Sequence, residues 1–217
     1  MRKKNKNEFP KERILNEAEA LFAQKGFHEV TVREITKAAK CNLAAINYHF
    51  GNKENLYLEV FRARWVPRAR RIREHVGKSL SAQDSPSPQA VIQALAQAFL
   101  EGPMSDDERQ RHSQLMAREM ARPTAAFDLV AEQTMGPFMK DLADVLRPGL
   151  PDKTGADRLM LNMLSVLAMV LYFNFARIAV TRMTGREYDH AFRRRLVEHI
   201  VEFSLNGLGV GEKEGAR

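Results

Sequence analysis

The chain has 217 residues, 44% of them hydrophobic, with one cysteine, six histidines and a formal charge of +7. That length supports one large domain or two small ones with real cores. The lone Cys41 excludes an internal disulfide framework and fits a reducing cytoplasm, and no run of Cys and His has metal-ligand spacing. Charge is unevenly placed: residues 1–78 hold 18 Lys and Arg against nine Glu and no Asp, a balance of +9, and the remainder stands at −2. The first third therefore has the electrostatics of a polyanion-binding segment, although charge alone also fits a merely solvated basic face.

Taken in chain order, every segment reads as helix. The opening MRKKNKNEFPKERI leads into an amphipathic stretch with no apolar secretory core, so residues 1–9 are expected to form a flexible basic arm. Ile14, Leu15, Ala18, Leu21 and Phe22 have helical spacing over 11–25, and Gly26 stops that run. In TVREITKAAK, Thr31 is an N-cap and Glu34 completes a capping box, which predicts a short second helix with Ile35 and Ala38 or Ala39 inward. Asn42 caps a third helix over 43–49. Asn52 caps a fourth whose apolar face is Leu56, Val60 and Phe61 and which Pro67 should kink or end.

SLSAQDSPSPQ, residues 79–89, is the clearest loop. Beyond it, helices are expected near 88–101, 106–121, 124–147, 156–183 and 188–206, and the last ten residues read as a frayed tail. The expected fold is all-α with about nine helices, divided into a helix-turn-helix domain over 1–65 and a larger helical domain over 66–217. The stretch 159–180 has the length of a membrane span, but Asn162, Ser165, Asn174 and Arg177 interrupt it, which favours a helix buried on more than one face.

Two short helices joined by a tight turn match the helix-turn-helix arrangement, whose second helix enters the DNA major groove. At about 100° per residue, Ile46 and Phe50 share an inward side, while Ala44, Ala45 and Tyr48 lie opposite. Small residues there let a helix approach a groove, and a few polar or aromatic ones reach base edges and phosphates.

The string TVREITKAAKCNLAAINYHFGNKENLYLEVF resembles the DNA-binding signature of TetR/AcrR-type bacterial transcriptional repressors over about residues 10 to 62. YHFGNKENLY, some 20 residues after the KGF turn, is its specific part. The resemblance implies phosphate contacts from Thr31 and Arg33 at the start of helix two. It implies base and phosphate contacts from Leu43, Ala44, Ala45, Asn47 and Tyr48, and a phosphate contact from Lys53. His49 has two readings, a phosphate contact or a half-buried hydrogen-bonded side chain. So has Leu43, which periodicity places near the core and the resemblance turns to the groove. The chain departs from the family pattern at Lys40-Cys41, commonly Gly-Val, and at Asn47, commonly Tyr. REMARPTAAFDLVAEQTMGPFMKDL, residues 118–142, is further similar to the ligand-binding half of one subgroup.

No catalytic constellation or phosphate-cradling loop occurs in the second part, so an enzyme is not expected. Its many Met and Phe residues suit a core and also an adaptable apolar pocket. The pocket candidates are Met116, Met120, Phe127, Met163, Leu167, Phe173 and Arg177, the last with Asn174 able to orient a ligand. The outer side of 159–180 and the stripe Phe192, Leu196, Ile200 and Phe203 are expected to meet a second copy, as the resemblance implies, although that stripe also fits an intrachain core.

The leading expectation is a cytoplasmic homodimeric repressor that leaves a palindromic operator when a small apolar effector binds, with no metal, cofactor or membrane partner. The alternative is an architectural protein that binds nucleic acid without sequence preference and uses its helical part only to dimerise.

Overall fold

The computed structural model describes residues 10–81, 83–150 and 155–210. The basic arm over 1–9 lies outside them, as does most of the terminal tail. Among the described residues all regular structure is helical. Helix α1 (Pro10–Lys25) opens on a proline, whose missing N–H costs nothing in a first turn. It closes at Gly26, whose N–H reaches the Phe22 carbonyl at 2.8 Å and whose φ of 88° suits glycine. Helices α2 (Val32–Ala39), α3 (Leu43–Phe50) and α4 (Lys53–Val60) are capped by Thr31, Asn42 and Asn52, each accepting from a backbone N–H three residues on. Ile14, Leu15, Ala18, Phe22, Ile35, Ile46, Leu56 and Val60 are all sealed from solvent. At about 1.5–3 kcal/mol for each larger side chain, they weld the four helices into one small core.

Pro67 does not end the fourth helix. In a regular α-helix its ring would strike the carbonyl of Ala63. The chain instead forms a π-turn over Phe61–Trp65, in which the Val66 N–H reaches back five residues to the Phe61 carbonyl, and continues as α5 (Val66–Leu80). The same device recurs later. Helix α6 (Pro88–Leu100) and α7 (Asp106–Ala121) start on Ser87 and Ser105 caps, α7 with a capping box to Glu108. The expected helix over 124–147 then runs as α8 (Ala125–Val130), a π-turn over Ala131–Met135, and α9 (Gly136–Leu146), with Pro137 directly after the turn.

The expected helix over 156–183 breaks at Ala176 into α10 (Ala156–Phe175) and α11 (Arg177–Thr184). The Tyr188 hydroxyl donates to the Phe173 carbonyl at 2.8 Å, the acceptor that the Arg177 N–H would use in an unbroken helix. Helix α12 (His190–Leu208) completes the described chain. Joined through their π-turns, the segments make ten continuous helices among the described residues, one more than the sequence suggests because of that break.

Two compact units result, and their division differs from the expected boundary at 65/66. The first unit combines the chain up to Arg68 with Ser105–Glu132, and the second combines Ala69–Met104 with the chain from Gln133 onward. The physical reason is α7, which packs along α1 and not in the second core. Arg118 donates to the carbonyls of Ala23, at 2.9 Å, and of Gln24, thereby capping the open end of α1. The Trp65 indole donates to the His112 carbonyl at 3.0 Å and stacks on the His112 ring with centroids 4.2 Å apart. In the second unit α6 is flanked by α9, α10 and α12, and Ile92, Leu95, Phe99, Leu142, Met163, Val170 and Ile200 fill its core.

Helix α10 is long and apolar enough to cross a membrane by length and composition alone. Burial on more than one face is not what the single chain shows. Leu159, Met163, Val166, Val170 and Asn174 point into the core. Met160, Leu161, Leu164 and Tyr172, on the other side, are 42–65% exposed. The stripe on α12 divides as well: Phe192, Leu196 and Ile200 belong to the intrachain core, which Ser204 continues, and Phe203 turns outward at 61% exposure.

Candidate nucleic-acid interface

The turn between α2 and α3 is set by Lys40, the only described non-glycine residue with positive φ, at 51°. Its N–H reaches the carbonyls of Lys37 and Thr36, and the Cys41 N–H reaches Thr36 at 3.0 Å. This folds α3 back across α2 within three residues. Cys41 is half-buried in that turn, and burial raises its thiol pKa. Ile46 and Phe50 then face the core, at 0% and 8% exposure. That places Ala44, Asn47 and Tyr48 outward, with Tyr48 85% exposed.

Leu43 is 55% exposed, so the structure turns it away from the core. Ala45, placed on the outer side by its spacing, is half-buried, because about 100° of helix rotation from Ile46 sets it on the flank of the inward face. His49 is half-buried between its ring neighbours Tyr48 and Phe50, at 5.0 and 6.1 Å.

At the start of α2, Thr31 and Arg33 are exposed. The Glu34 carboxylate closes the cap, accepting from the Thr31 N–H at 2.8 Å, the Thr31 hydroxyl at 2.9 Å and the Lys25 ammonium at 2.7 Å. The Lys25 bond first, and the Thr31 backbone bond second, lower its pKa from 4.5 to about 2. A lowered carboxylate pKa stabilises the folded chain above the ordinary value, and that contribution is lost as pH falls through the folded one. Thermal stability is therefore expected to decline between about pH 4.5 and 2 in the native chain. Glu34→Gln should flatten that part of the profile, as read by melting followed with circular dichroism. Parallel profiles for the two proteins would contradict the assignment.

Lys53 lies differently from a free phosphate ligand. Its ammonium donates to the carbonyls of Phe27 and Val30 at 2.9 and 3.0 Å and sits 4.4 Å from the centre of the Phe27 ring. Two buried polar clusters that periodicity did not reveal join the reading helices to α7 and α8. Glu19 on α1, 1% exposed, pairs with Arg68 and with Arg111 at 3.4 Å. Glu119 on α7, also 1% exposed, accepts from the Tyr57 hydroxyl at 2.6 Å and from the Thr124 N–H at 2.9 Å. Burial foremost, then the Glu119 bond, raises the Tyr57 phenol far above its ordinary pKa, so it remains a donor. The only sequence signal for these groups is a Glu on the inward side of its helix, as Glu19 is beside Leu15, Ala18 and Phe22.

The expected pocket residues fall into both units. In the first, Met116 is buried, Phe127 is half-buried, and Met120 is 55% exposed. Met120 shares a face with Met116 but lies in the last turn of α7, where the chain leaves through Arg122 and Pro123. In the second, Met163 is core at 3% exposure, and Leu167 and Phe173 pack at the core's margin. Arg177 donates to the Asn174 side chain at 3.5 Å and lies 5.4 Å from the Tyr188 ring.

Both parts of the chain are similar to known proteins. Residues 14–60 match the family model of the tetR-family bacterial regulatory proteins, and residues 88–208 match that of the C-terminal domain of the HTH-type transcriptional dual regulator CecR. The CecR regulator of Shigella flexneri is 29% identical over 213 residues, covering 94% of each chain. Among solved structures, a TetR-family regulator from Bordetella parapertussis 12822 aligns with a TM-score of 0.66 at 17% identity, over 98% of this chain and 100% of that one. The fatty acid degradation regulator FadR from Bacillus halodurans aligns with a TM-score of 0.63 at 16% identity, over 94% and 98%. At such identities the two structures speak for the fold.

Proposed function

Because the chain belongs to the TetR family of bacterial regulatory proteins and carries a CecR-type C-terminal domain, and is thus a DNA-binding transcriptional regulator, we propose that it acts as a cytoplasmic homodimeric repressor released by a small apolar effector. The observation that carries the DNA-binding half is the outward row of Ala44, Asn47 and Tyr48 beside Leu43, on a helix whose other side is locked by Ile46 and Phe50. Small side chains admit the helix to the major groove, Asn47 offers the paired donor and acceptor that suit adenine, and Leu43 suits a thymine methyl. Thr31 and Arg33, at the positive end of α2, and His49, at the end of α3, stand where phosphates would pass.

The exposed apolar row on α10, with Phe203 on α12, supports a second copy as its cover. A two-fold pair sets two recognition helices on one face of a palindrome, spaced by about one helical turn of DNA. For the effector, Leu167 and Phe173 offer adaptable apolar surface at the margin of a core, and Arg177 beside Asn174 offers polar orientation. The relative from Shigella is named a dual regulator, and on that ground a second reading is activation at some promoters by the same DNA-bound dimer.

Footprinting on the DNA flanking the protein's own gene, with and without a panel of lipophilic compounds, tests the proposal. A dyad-symmetric protected site that one compound abolishes is the expected result. Protection without symmetry would count against the dimer, and protection indifferent to every compound would count against release by an apolar effector.

A further inference from the structure

We propose that Lys53 serves DNA binding as a positioning residue, clamping the Phe27–Val30 turn that leads into α2, and not as a phosphate ligand. This rests on the DNA-binding reading above and sharpens the part played by one residue. Residues 26–30 lie between α1 and α2, so the carbonyls of Phe27 and Val30 must find donors outside a helical ladder. Val30 is fully buried and Phe27 is half-buried. The Lys53 ammonium, 23 and 26 residues further along, supplies both donors at 3.0 and 2.9 Å.

An ammonium is a compact charge with three donors, which suits converging carbonyls. Two of the three are used here, and the Phe27 ring, 4.4 Å away, adds a cation–π contact. That ring is itself fixed against Tyr57, with centroids 4.9 Å apart, and against Phe22, at 6.3 Å. The side chain therefore bridges the first turn of α4 to the turn before α2.

What that turn holds explains the consequence. The residue after Val30 is Thr31, the N-cap of α2, and Arg33 follows on the exposed first turn. From there the chain is rigidly linked to α3 through the Thr36–Cys41 backbone bond. Drawing Lys53 out to a phosphate would leave two carbonyls without this donor and loosen the very turn that aims Thr31 and Arg33. A phosphate contact that pulls Lys53 from this seat therefore competes with the clamp.

Salt dependence separates the two roles. Each phosphate contact steepens the fall of log K with log salt by about 0.9, whereas a positioning residue leaves that slope alone. With the full-length protein and the duplex recovered by footprinting, Lys53→Met is expected to weaken binding about tenfold at every salt concentration, the size of one lost base-pair match, with an unchanged slope. Lys53→Arg keeps the charge, but its planar fork does not fit two converging carbonyls. It should lose binding to a similar extent, and both variants should melt below wild type without DNA.

The proposal is overturned if Lys53→Met shallows the slope by about 0.9 while Lys53→Arg binds like wild type, or if neither variant weakens binding. Should Lys53→Met fail to fold, Lys53→Arg decides alone. Arg33→Gln and Tyr48→Ala are the reference arms. If neither alters binding, it is the DNA-facing assignment that fails, whatever Lys53 does.

Discussion

Arg68→Ala is expected to lower the free energy of unfolding by about 3 kcal/mol, the largest stability loss for one residue near the reading head. Glu19 is 1% exposed on α1, and Arg68, itself 6% exposed, pairs with it and lies 3.6 Å from Glu108. Removing the guanidinium leaves a buried carboxylate with Arg111, at 3.4 Å, as its remaining ion-pair partner among the described residues. An uncompensated buried charge is what makes such truncations costly. Lys11 and Glu59, with side chains 47% and 30% exposed, form a solvated pair, and Lys11→Ala should change stability by less than about 1 kcal/mol.

Urea unfolding followed by circular dichroism measures both. The double replacement Glu19→Leu with Arg68→Met removes both charges and should fall much closer to wild type than Arg68→Ala. A loss for Arg68→Ala no larger than that for Lys11→Ala would contradict the assigned burial.

Tyr48→Ala has the largest expected effect on function. The side chain is 85% exposed, so its truncation should leave stability within about 0.5 kcal/mol. It carries no charge and should leave the affinity for random-sequence duplex nearly unchanged. Affinity for the operator should fall by about 10- to 100-fold, the range of a lost base-pair contact. Asn47→Ala should act in the same direction and relax preference at an adenine-containing step. Equal losses on operator and random DNA would mean that α3 supplies shape or charge and not sequence discrimination.

The reading head was the most legible part of the sequence because its information is local. Thr31, Asn42 and Asn52 announce their helices by capping chemistry, and Ile46 and Phe50 fix the orientation of α3 by period alone. Period places Leu43 near the core and the resemblance turns it to the groove; at 55% exposure it lies outward, because in the first turn of a helix a small change of phase moves a side chain from core to surface. The π-turns before Pro67 and Pro137 were invisible, since a proline in a helical run signals a break and only neighbouring packing shows that the helix survives it. So was the break at Ala176, whose cause, Tyr188, lies more than ten residues away.

The attachment of α7 to the first unit was hidden for a related reason. The expected boundary follows chain order, but α7 is held to α1 by Arg111 and Arg118 and to α4 by Glu119, through partners 62–95 residues distant. Lys53 was legible as a residue of the DNA-binding head but not in its geometry, because a lysine that serves two carbonyls looks the same in sequence as one that serves a phosphate.

Selection of duplexes from a random pool by the full-length protein, compared with the Asn47→Ala and Tyr48→Ala variants, tests the central claim most directly. The predicted result is a dyad-symmetric motif with half-sites about 10–10.5 base pairs apart, or a multiple of that, which blurs or shifts in the variants. Recovery of no motif, with affinity set by salt alone and equal in all three proteins, would contradict it and leave a basic protein that binds nucleic acid without reading it.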